Sequence, residues 1–513
     1  MTDVPHTADG DQQAALAFLE QNVRRGVAKR VDTHISIVFL EPDRVLKIKR
    51  AVHLPFLDYS TLEKRKAACD EELAVNRRFA PDIYRRVVPI TSGAGGPEIG
   101  GDGPVIEWAV EMARFDEGKT FDHLARAGAL TPELAEAMAD VLHDAHTRAD
   151  VSDGASWLAS LAPFIDRNSE KFRAHSSLAR KAVEQLHQMS HQRLAAARPL
   201  LEARAAAGLV RRCHGDAHLG NIVLIGDRPV LFDAIEFDPV IATTDILYDL
   251  AFPLMDLVHF GLSAAASRLF NRYLQADWQE NAGALSLLPL FLSIRAAIRA
   301  LVLFTRSEQS RGDAQHAREA KSYFDLALRF LAPAPPSLIA IGGKSGTGKS
   351  LLARDLAPLV DPLPGAVMLR SDVIRKELYG VDPLVPLPEA AYASEVTARV
   401  YRTLSERLRE VIAQGFSVII DAAFLREAER DALAGEARRT EAKFRPIFLD
   451  ADLAIRVKRI GSRRRDASDA TAEVASRQEG HDIGRLDWPV VDASGSPEQT
   501  LERSLVHLKA GRE

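Results

Sequence analysis

The sequence predicts a chain of two domains, an α+β domain with two lobes followed by an α/β domain built on a parallel sheet. Strand-like segments come first, and helix-periodic segments follow as far as residue 331. The proline-rich segment APAPPS, residues 332–337, is typical of a short stiff linker. An apolar strand-like run, a glycine-rich loop and a helix come next, which is the order found in parallel α/β sheets. We therefore expect domains at residues 1–331 and 338–513, joined by residues 332–337.

Length and composition indicate a globular protein. The 513 residues are 46% apolar and 27% charged, and the formal net charge is −5. The chain can therefore bury sizeable cores, and it lacks the positive excess that coats nucleic acid. Cys69 and Cys213 are too few for a disulfide framework. No signal-peptide pattern or long apolar run stands out, so we expect a cytoplasmic protein without a membrane or nucleic-acid partner.

The order of elements in the first domain predicts its two lobes. The strand-like segments are ISIVFL, RVLKIKR and VIEWAVEMARF, and one helical segment, STLEKRKAACDEELAVNRRFA, lies among them. Helices dominate from Thr131 onward, apart from a short strand-like insert around residues 213–237. A small strand-rich lobe and a larger helical lobe are expected.

The insert carries three polar side chains at a spacing that is typical of a phosphoryl-transfer site. Asp216 precedes Asn221 by five residues, and Asp233 follows at the end of the apolar strand VLF. Phosphoryl transfer to an alcohol needs a carboxylate that takes the hydroxyl proton, ligands for Mg²⁺, and a cation on the phosphates. The run IVLIGDRPVLF predicts a hairpin that turns near Gly226 and brings Asn221 and Asp233 to one edge of a cleft. As the alternative, Asp233 merely caps a turn.

The segment HGDAHLGN, residues 214–221, resembles the catalytic loop of aminoglycoside phosphotransferases and choline kinases, which are relatives of protein kinases. The resemblance implies that Asp216 is the catalytic base and that Asn221 and Asp233 hold Mg²⁺. Members of this group also hold the phosphates with a strand lysine that a helix glutamate supports.

Two positions remain open for each member of that lysine–glutamate pair. Lys47 and Lys49 lie on the same strand face, and we favour Lys47; Glu71 or Glu72 is the partner, and Glu72 is the preferred choice. The hinge of the nucleotide pocket is expected near Met112. No glycine-rich loop precedes the lysine, and Ser36 is expected to approach the phosphates in its place.

The second domain opens with LIAIGGKSGTGKS, residues 338–350. This is a strand, then the pattern G-x-x-x-x-G-K-S, then a helix, and the motif needs that context. Backbone N–H groups of such a loop and the helix N-terminus form a nest for phosphate. Lys349 is expected to reach the β- and γ-phosphates, and Ser350 to hold Mg²⁺. The expected nucleotide-binding residues are Gly343, Lys344, Ser345, Gly346, Thr347, Gly348, Lys349 and Ser350.

The remainder of this domain resembles the gluconate kinase, zeta-toxin and polynucleotide 5′-kinase branch of P-loop kinases. The resemblance implies a catalytic carboxylate at Asp372, which could otherwise be a simple helix cap, and a Mg²⁺-side carboxylate at Asp421. It also implies a lid whose arginines close on the γ-phosphate, with Arg463 and Arg464 as the expected catalytic pair. A solvated helix face is the alternative for that arginine run.

Taken together, the two halves resemble bacterial fused proteins with an aminoglycoside phosphotransferase-like domain and a P-loop domain. The resemblance implies an α+β bilobal protein-kinase-like domain followed by an α/β P-loop NTPase domain with a parallel sheet. The expected activity is a bifunctional phosphotransferase that uses ATP and Mg²⁺ and acts on small hydroxyl compounds such as sugars. Two alternatives stay open: one half is a nucleotide-sensing or ATPase switch module, or the second half is a 5′-hydroxyl polynucleotide kinase.

Overall fold

The computed structural model of the chain describes residues 10–54, 57–309, 314–462 and 466–509. The first part contains the strands β1 (Lys29–Asp32), β2 (Ser36–Leu40), β3 (Arg44–Lys49), β4 (His53–Leu54), β5 (Leu57–Asp58), β6 (Tyr84–Gly93), β7 (Gly96–Ile99), β8 (Val105–Ala113), β9 (Val210–Arg212), β10 (Ile222–Ile225), β11 (Arg228–Leu231) and β12 (Thr243–Asp245). Its helices are α1 (Gly10–Arg24), α2 (Leu62–Asn76), α3 (Phe121–Arg126), α4 (Pro132–Arg148), α5 (Ala155–Ala174), α6 (Arg180–Ala206), α7 (Pro239–Ala242), α8 (Ile246–His259), α9 (Ser263–Ala276), α10 (Trp278–Asn281), α11 (Leu288–Gln309) and α12 (Ala314–Leu331).

The last part alternates strands and helices, as its sequence predicts. Its strands are β13 (Ser337–Gly343), β14 (Val367–Arg370), β15 (Val418–Asp421), β16 (Lys443–Asp450) and β17 (Val490–Asp492). Its helices are α13 (Lys349–Leu356), α14 (Ser371–Leu378), α15 (Ser394–Ala413), α16 (Glu427–Thr440), α17 (Leu453–Ser462), α18 (Ala472–Arg477) and α19 (Pro497–Lys509).

The chain divides into two compact units. The first contains Met1–Leu130, Val141–Pro163 and Leu201–Pro253, and the second contains Thr131–Asp140, Phe164–Leu200 and Leu254–Glu513. The second unit therefore includes residues on both sides of the 332–337 segment. The domain limits expected from the sequence stay a prediction.

An antiparallel sheet of six strands organises the first unit, in the order β1-β2-β3-β8-β6-β7. Alternate side chains of β3 face opposite sides of this sheet. Leu46 and Ile48 pack in one cluster with Leu19 of α1, and Val45 packs in another with Cys69 of α2. Because Lys47 and Lys49 share the parity of Val45, the strand directs both ammonium groups toward α2.

A two-stranded antiparallel hairpin carries the polar residues of the predicted insert. β10 pairs with β11 from Ile222↔Leu231 to Ile225↔Arg228, so the chain turns at Gly226 and Asp227. This is the predicted hairpin. The backbone N–H of Phe232 donates to the carbonyl of Asn221 at 3.0 Å, so Asn221 and Asp233 flank the same end of the hairpin.

The second unit contains a sheet of five strands, all parallel, in the order β14-β15-β13-β16-β17. This confirms the predicted α/β domain with a parallel sheet. Ile341 and Arg370 are both registered with Asp421, so the ends of β13, β14 and β15 lie side by side. Ligands bind at such carboxyl edges in parallel α/β sheets.

Helices α9 and α10 pack on the edge of this parallel sheet. Oδ1 of Asn271 accepts a hydrogen bond from the Met368 N–H at 2.7 Å, and its Nδ2 donates to the Ala366 carbonyl at 3.1 Å. One amide side chain thus pairs with the edge strand β14 as a neighbouring strand would. Trp278 donates through Nε1 to Glu410 of α15 at 3.0 Å, which strengthens the same contact.

One helical run in the described ranges, Trp278–Glu308, has the length and apolar composition of a membrane span. In the structure, 83% of its apolar window is buried inside the fold. Leu290, Phe291 and Leu292 are among its fully enclosed side chains. Such burial is typical of a core helix.

Replacing Asn271 with leucine should destabilise the second unit. Asn271→Leu keeps the size of the side chain but leaves the Met368 N–H and the Ala366 carbonyl unpaired. The expected loss is about 1–3 kcal/mol of unfolding free energy, measured from urea-unfolding midpoints. Asn271→Asp retains the acceptor for the Met368 N–H but sets a carboxylate oxygen against the Ala366 carbonyl, so it should also destabilise the unit. An unchanged unfolding midpoint in Asn271→Leu would contradict this account of the amide.

Candidate active sites

Two lysines and a glutamate form the buried centre of the first site. Nζ of Lys47 lies 2.8 Å from Oε1 of Glu72, and Nζ of Lys49 lies 2.7 Å from Oε2 of the same carboxylate. Lys47 also donates to Oδ1 of Asp233 at 2.5 Å, and Lys49 pairs with Glu236. Glu72 is therefore the partner of both lysines, and the neighbouring Glu71 is exposed.

The two lysines differ in access. The Lys47 side chain is 12% exposed and also contacts Asp233, whereas the Lys49 side chain is fully buried. A phosphate in the cleft can reach the Lys47 ammonium more readily than the enclosed Lys49 ammonium. This geometry favours Lys47 as the phosphate-binding cation.

Opposite charges keep these groups ionised in spite of their burial. Burial alone would lower the pKa of Lys47, but the carboxylates of Asp233 and Glu72 outweigh it and raise that pKa well above its usual value. Burial alone would raise the pKa of Glu72 and of Asp233, and the lysines outweigh it and lower both. The pKa of Glu236 is raised, because burial exceeds the effect of Lys49.

Asp216 lies on a loop that hydrogen bonds hold in shape. His214 accepts from the Asp216 N–H at Nδ1 over 3.4 Å, and its Nε2 lies 2.9 Å from the Phe232 carbonyl. The N–H of Gly215 donates to the buried Asp249 at 2.9 Å. Gly215 has φ +82°, a conformation that favours glycine. These contacts present the 38% exposed carboxylate of Asp216 to solvent.

Asn221 and Asp233 lie where the sequence places them, at one end of the hairpin. Nδ2 of Asn221 donates to Oδ2 of Asp216 at 3.2 Å, which leaves the amide oxygen of Asn221 for another ligand. Asp233 has the unusual φ of +60°, and its N–H donates to the Tyr84 hydroxyl at 3.1 Å. Strained backbone of this kind clusters at functional sites.

Met112 and Ser36 are less accessible than expected. Met112 is the second-last residue of β8. Its side chain is buried in the core, with 6% exposed, so only its backbone is suited to contact a nucleotide. Ser36 lies on β2 and is 1% exposed, and its Oγ has no hydrogen-bond partner among the described residues. Their roles at the nucleotide remain predictions.

Glu236 and Tyr84 are not among the site residues predicted from the sequence. Glu236 stands three residues after Asp233 in the segment FDAIEFD, so its acidic spacing was a usable signal. Tyr84 lies 149 positions before its partner Asp233, and no local pattern marks that contact. Long-range pairing of this kind is set by the packed sheet.

In the second unit, the glycines of residues 343–350 allow the loop to pass close to other backbone. A Cβ on Gly343 would lie 2.5 Å from the Leu449 carbonyl oxygen, and one on Gly346 would lie 2.7 Å from that of Arg456. Gly343, Gly346 and Gly348 all have positive φ. Gly348 precedes α13 directly, so the loop leads into the helix N-terminus, as the phosphate-binding motif requires.

Hydrogen bonds from side chains and backbone hold this loop in shape. Nζ of Lys349 donates to the carbonyls of Gly343 at 2.8 Å and Lys344 at 3.1 Å. Thr347 is buried and donates through Oγ1 to the Lys344 carbonyl at 2.9 Å. The N–H of Ser345 donates to Gln478 at 2.7 Å.

Ser350 and Asp421 come together although 71 positions separate them. Oγ of Ser350 donates to Oδ2 of Asp421 at 2.6 Å. Asp421 ends β15, and Ser350 lies in the first turn of α13, so the sheet edge and the loop meet here.

Asp372 lies in the first turn of α14, next to this edge. Burial and the nearby Asp421 carboxylate raise its pKa, while Arg370 opposes the shift. A carboxylate with a raised pKa is a better proton acceptor at neutral pH. Arg375 of the same helix donates to the Ala391 carbonyl at 2.7 Å and lies over the Tyr392 ring, which holds it against the following segment.

Arg463 and Arg464 lie outside the described residues, as does Arg465. On the adjoining helix α17, Arg459 donates to the Thr347 carbonyl at 3.5 Å and to the Gly495 carbonyl at 2.8 Å. The buried Arg456 donates to the Ser345 carbonyl at 3.2 Å. The helix that precedes the expected lid thus packs on the phosphate loop through its arginines.

Both sites offer a donor set that fits a hard divalent cation. Carboxylate, amide and hydroxyl oxygens are the ligands that Mg²⁺ prefers. Asn221 and Asp233 supply them in the first site, and Ser350 and Asp421 in the second. A bound Mg²⁺ would neutralise charge on the nucleotide phosphates. Each site also places a carboxylate, Asp216 or Asp372, where it can accept a proton.

Glu72→Gln should destabilise the first unit strongly. The substitution leaves the ammonium groups of Lys47 and Lys49 without their shared buried counter-charge. Breaking a buried ion pair in this way costs about 3–5 kcal/mol, measured from urea-unfolding midpoints. Glu71→Gln, on the exposed neighbour, should change stability by less than about 0.5 kcal/mol. Similar losses in the two variants would show that Glu72 is not the anchor.

The effect of Glu72→Gln should also depend on pH. Because folding lowers the pKa of Glu72 and Asp233, their stabilisation is present above their unfolded values of about 4.3 and 3.9. It is lost as the pH falls through the folded values. The stability difference between wild type and variant should therefore be large at pH 7 and shrink below about pH 4. A difference that is constant over a pH series of urea midpoints would refute this.

Two family models match separate parts of the chain. Residues 45–283 match the model of the phosphotransferase enzyme family, and residues 338–481 match that of an AAA domain. Uncharacterized proteins of Mycobacterium tuberculosis H37Rv and Mycobacterium bovis are each 27% identical over 483 residues, which cover 92% of this chain and 93% of theirs.

Two solved kinase structures are similar to separate parts of the chain. A choline/ethanolamine kinase family protein from Mesorhizobium loti is 14% identical, covers 63% of this chain and 99% of its own, and has a TM-score of 0.34. A gluconokinase from Sinorhizobium meliloti is 20% identical, covers 34% of this chain and 93% of its own, and has a TM-score of 0.25. The assignment rests on the two family matches, whose order is the predicted one. The chain joins a domain of the phosphotransferase enzyme family to a P-loop kinase domain and is an ATP-dependent phosphotransferase.

Proposed function

We propose that the protein is bifunctional and that each half transfers the γ-phosphoryl group of ATP to a hydroxyl of a small molecule. The observation that carries the proposal is the presence of two separate constellations, each with a lysine for phosphate, oxygen ligands for Mg²⁺ and a carboxylate. Lys47, Asp233 and Asp216 form the first, and Lys349, Asp421 and Asp372 form the second. A nucleotide-sensing module would not need a proton-accepting carboxylate.

In the first reaction, Asp216 accepts the proton of the acceptor hydroxyl. The hydroxyl oxygen forms a bond to the γ-phosphorus, the bond between that phosphorus and the bridging oxygen breaks, and ADP leaves. Lys47 neutralises phosphate charge, and Glu72 holds the Lys47 ammonium in place. Asn221 orients Asp216 through its 3.2 Å hydrogen bond and would share Mg²⁺ with Asp233.

In the second reaction, Asp372 takes the hydroxyl proton and Lys349 supports the phosphates. The raised pKa of Asp372 suits this carboxylate to accept a proton. Ser350 and Asp421 would hold Mg²⁺, and the arginines of the segment 459–465 would close over the transferring group. Arg463 and Arg464 keep this role as a prediction.

The acceptors that we propose are sugars or sugar derivatives, which offer several hydroxyls to a carboxylate base. We also propose that the protein acts in the cytoplasm, where ATP is supplied. Its two cysteines, Cys69 and Cys213, are both buried free thiols, which suits a reducing compartment. Two phosphorylations by one chain could act in succession on one metabolite, because the fusion keeps the intermediate close.

Asp216→Asn and Lys349→Ala should each silence a different reaction. The full chain is incubated with ATP, Mg²⁺ and a pool of sugars and sugar derivatives, and products are detected by mass. Asp216→Asn removes the general base and should lower one product by about 10²–10⁴-fold while sparing the other. Lys349→Ala should do the reverse.

Matched controls are available on exposed positions. Asp227→Asn, in the hairpin turn, and Lys321→Ala, on α12, remove the same groups away from both sites. Neither should alter a product. Loss of both products in each of the two active-site variants would refute two independent sites, whereas loss of both products in one variant alone would indicate successive reactions. ATP consumption without any acceptor would favour a switch module.

A further inference from the structure

Arg370 is the last residue of β14, and its backbone is registered with Asp421 on the neighbouring strand β15. Two residues later, α14 presents Asp372. The side chain of Arg370 therefore starts at the sheet edge where the second site is built. It is 12% exposed, so it lies within that edge.

The guanidinium of Arg370 contacts both groups that are expected to hold Mg²⁺. Nε donates to Oδ2 of Asp421 at 3.1 Å, and Nη2 donates to Oγ of Ser350 at 3.0 Å. Ser350 in turn donates to the same Asp421 oxygen at 2.6 Å. Arg370, Ser350 and Asp421 are thus each hydrogen-bonded to the other two, and the guanidinium supplies the positive charge of this group.

A further carboxylate, that of Asp466, also contacts the guanidinium. Nη2 of Arg370 also donates to Oδ1 of Asp466 at 2.8 Å. Asp466 directly follows the arginine segment 463–465 in the sequence. Arg370 thus connects the Ser350–Asp421 pair to the residue that follows the expected lid arginines.

A divalent cation and this guanidinium compete for the same oxygens. Mg²⁺ needs lone pairs of Ser350 and Asp421, and the Arg370 donors engage the same two side chains. Two cations at one carboxylate also repel each other. Metal binding through Oγ of Ser350 and Oδ2 of Asp421 would therefore require that Arg370 give up part of these contacts, while the Asp466 contact can keep it nearby.

We infer that Arg370 is a positioning residue that holds Ser350 and Asp421 in place and yields them to Mg²⁺ when the nucleotide binds. It sets how much Mg²⁺ the second site requires, and it links that exchange to the Asp466 segment. The inference rests on the proposed function of the second site. It concerns a residue that neither the phosphate-loop motif nor the carboxylate pattern includes.

The test measures the Mg²⁺ dependence of ADP affinity rather than turnover. ADP is titrated into the full chain by calorimetry at a series of Mg²⁺ concentrations, and the binding that Lys349→Ala removes is assigned to the second site. In Arg370→Met, the half-saturating Mg²⁺ concentration should fall by about 3–10-fold, because the competing cation is gone. ADP affinity without Mg²⁺ should stay within about twofold. Arg370→Lys keeps a positive charge without the planar guanidinium. Its half-saturating Mg²⁺ concentration should therefore lie between those of the wild type and Arg370→Met.

Arg354→Met is the matched control. Arg370 is close enough to Arg354 to help lower its pKa, after burial, yet Arg354 makes none of the described contacts to Ser350 or Asp421. This variant removes a nearby positive charge and should leave the half-saturating Mg²⁺ concentration unchanged. If Arg354→Met shifted the half-saturating Mg²⁺ concentration as much as Arg370→Met does, the positive charge near the site would set the Mg²⁺ requirement, and the hydrogen bonds of Arg370 would not.

The remaining outcomes each decide the question. An unchanged or higher Mg²⁺ requirement in both Arg370 variants overturns the inference. A loss of Mg²⁺-free ADP affinity with an unchanged Mg²⁺ requirement would make Arg370 a phosphate ligand instead. If Lys349→Ala removes no ADP binding at all, the proposed second site fails, and this result is distinct from failure of the Arg370 inference alone. Should Arg370→Met not fold, judged by circular dichroism, Arg370→Lys carries the test.

Discussion

The first site depends on one buried carboxylate that serves two lysines. Glu72 is fully enclosed and pairs with Lys47 and Lys49 at once. Glu72 offsets the repulsion between two ammonium groups on one strand face, and together with Asp233 and Glu236 it keeps both of them charged in the interior. The sheet, α2 and the Asp233 turn are held together through this cluster. The first site is thus built around a charge balance, and the Lys47 ammonium is the part of that balance open to a ligand.

The second site also holds charged groups in place for a phosphate ligand, but it does so with a backbone loop. Its phosphate loop offers backbone N–H groups, and positive-φ glycines allow the loop to approach the Leu449 and Arg456 carbonyls. Side-chain cations gather around it from three elements, with Lys349 on α13, Arg370 on β14 and Arg456 on α17. Parallel register brings the carboxylate of Asp421 to the same edge. In both halves, a strand carries charged residues of the site and a helix supplies the opposite charge, with Lys47 of β3 facing Glu72 of α2 and Asp421 of β15 facing the helix that begins at Lys349.

Local motifs predicted most of the fold and many positions of the candidate sites. The hairpin around Gly226, the parallel sheet and the loop before α13 all follow from short patterns of strand, turn and glycine. The choice between Glu71 and Glu72 needed the structure, because one helical position decides between solvent and the core. The site contacts of Tyr84 and Arg370 could not be predicted from the sequence. Each residue hydrogen-bonds to a partner that is distant in the chain and that only the folded sheets bring near. The roles of the site residues in catalysis stay predictions.

The amide of Asn271 has a consequence for any attempt to divide the protein. A fragment cut within residues 332–337 would lose α9, and β14 would then present unpaired N–H and C=O groups along an open sheet margin. Such margins recruit strands from other chains and promote self-association. The proline-rich segment therefore marks a change in sequence character without marking a place where the parallel sheet can be separated from the helices that cover its border.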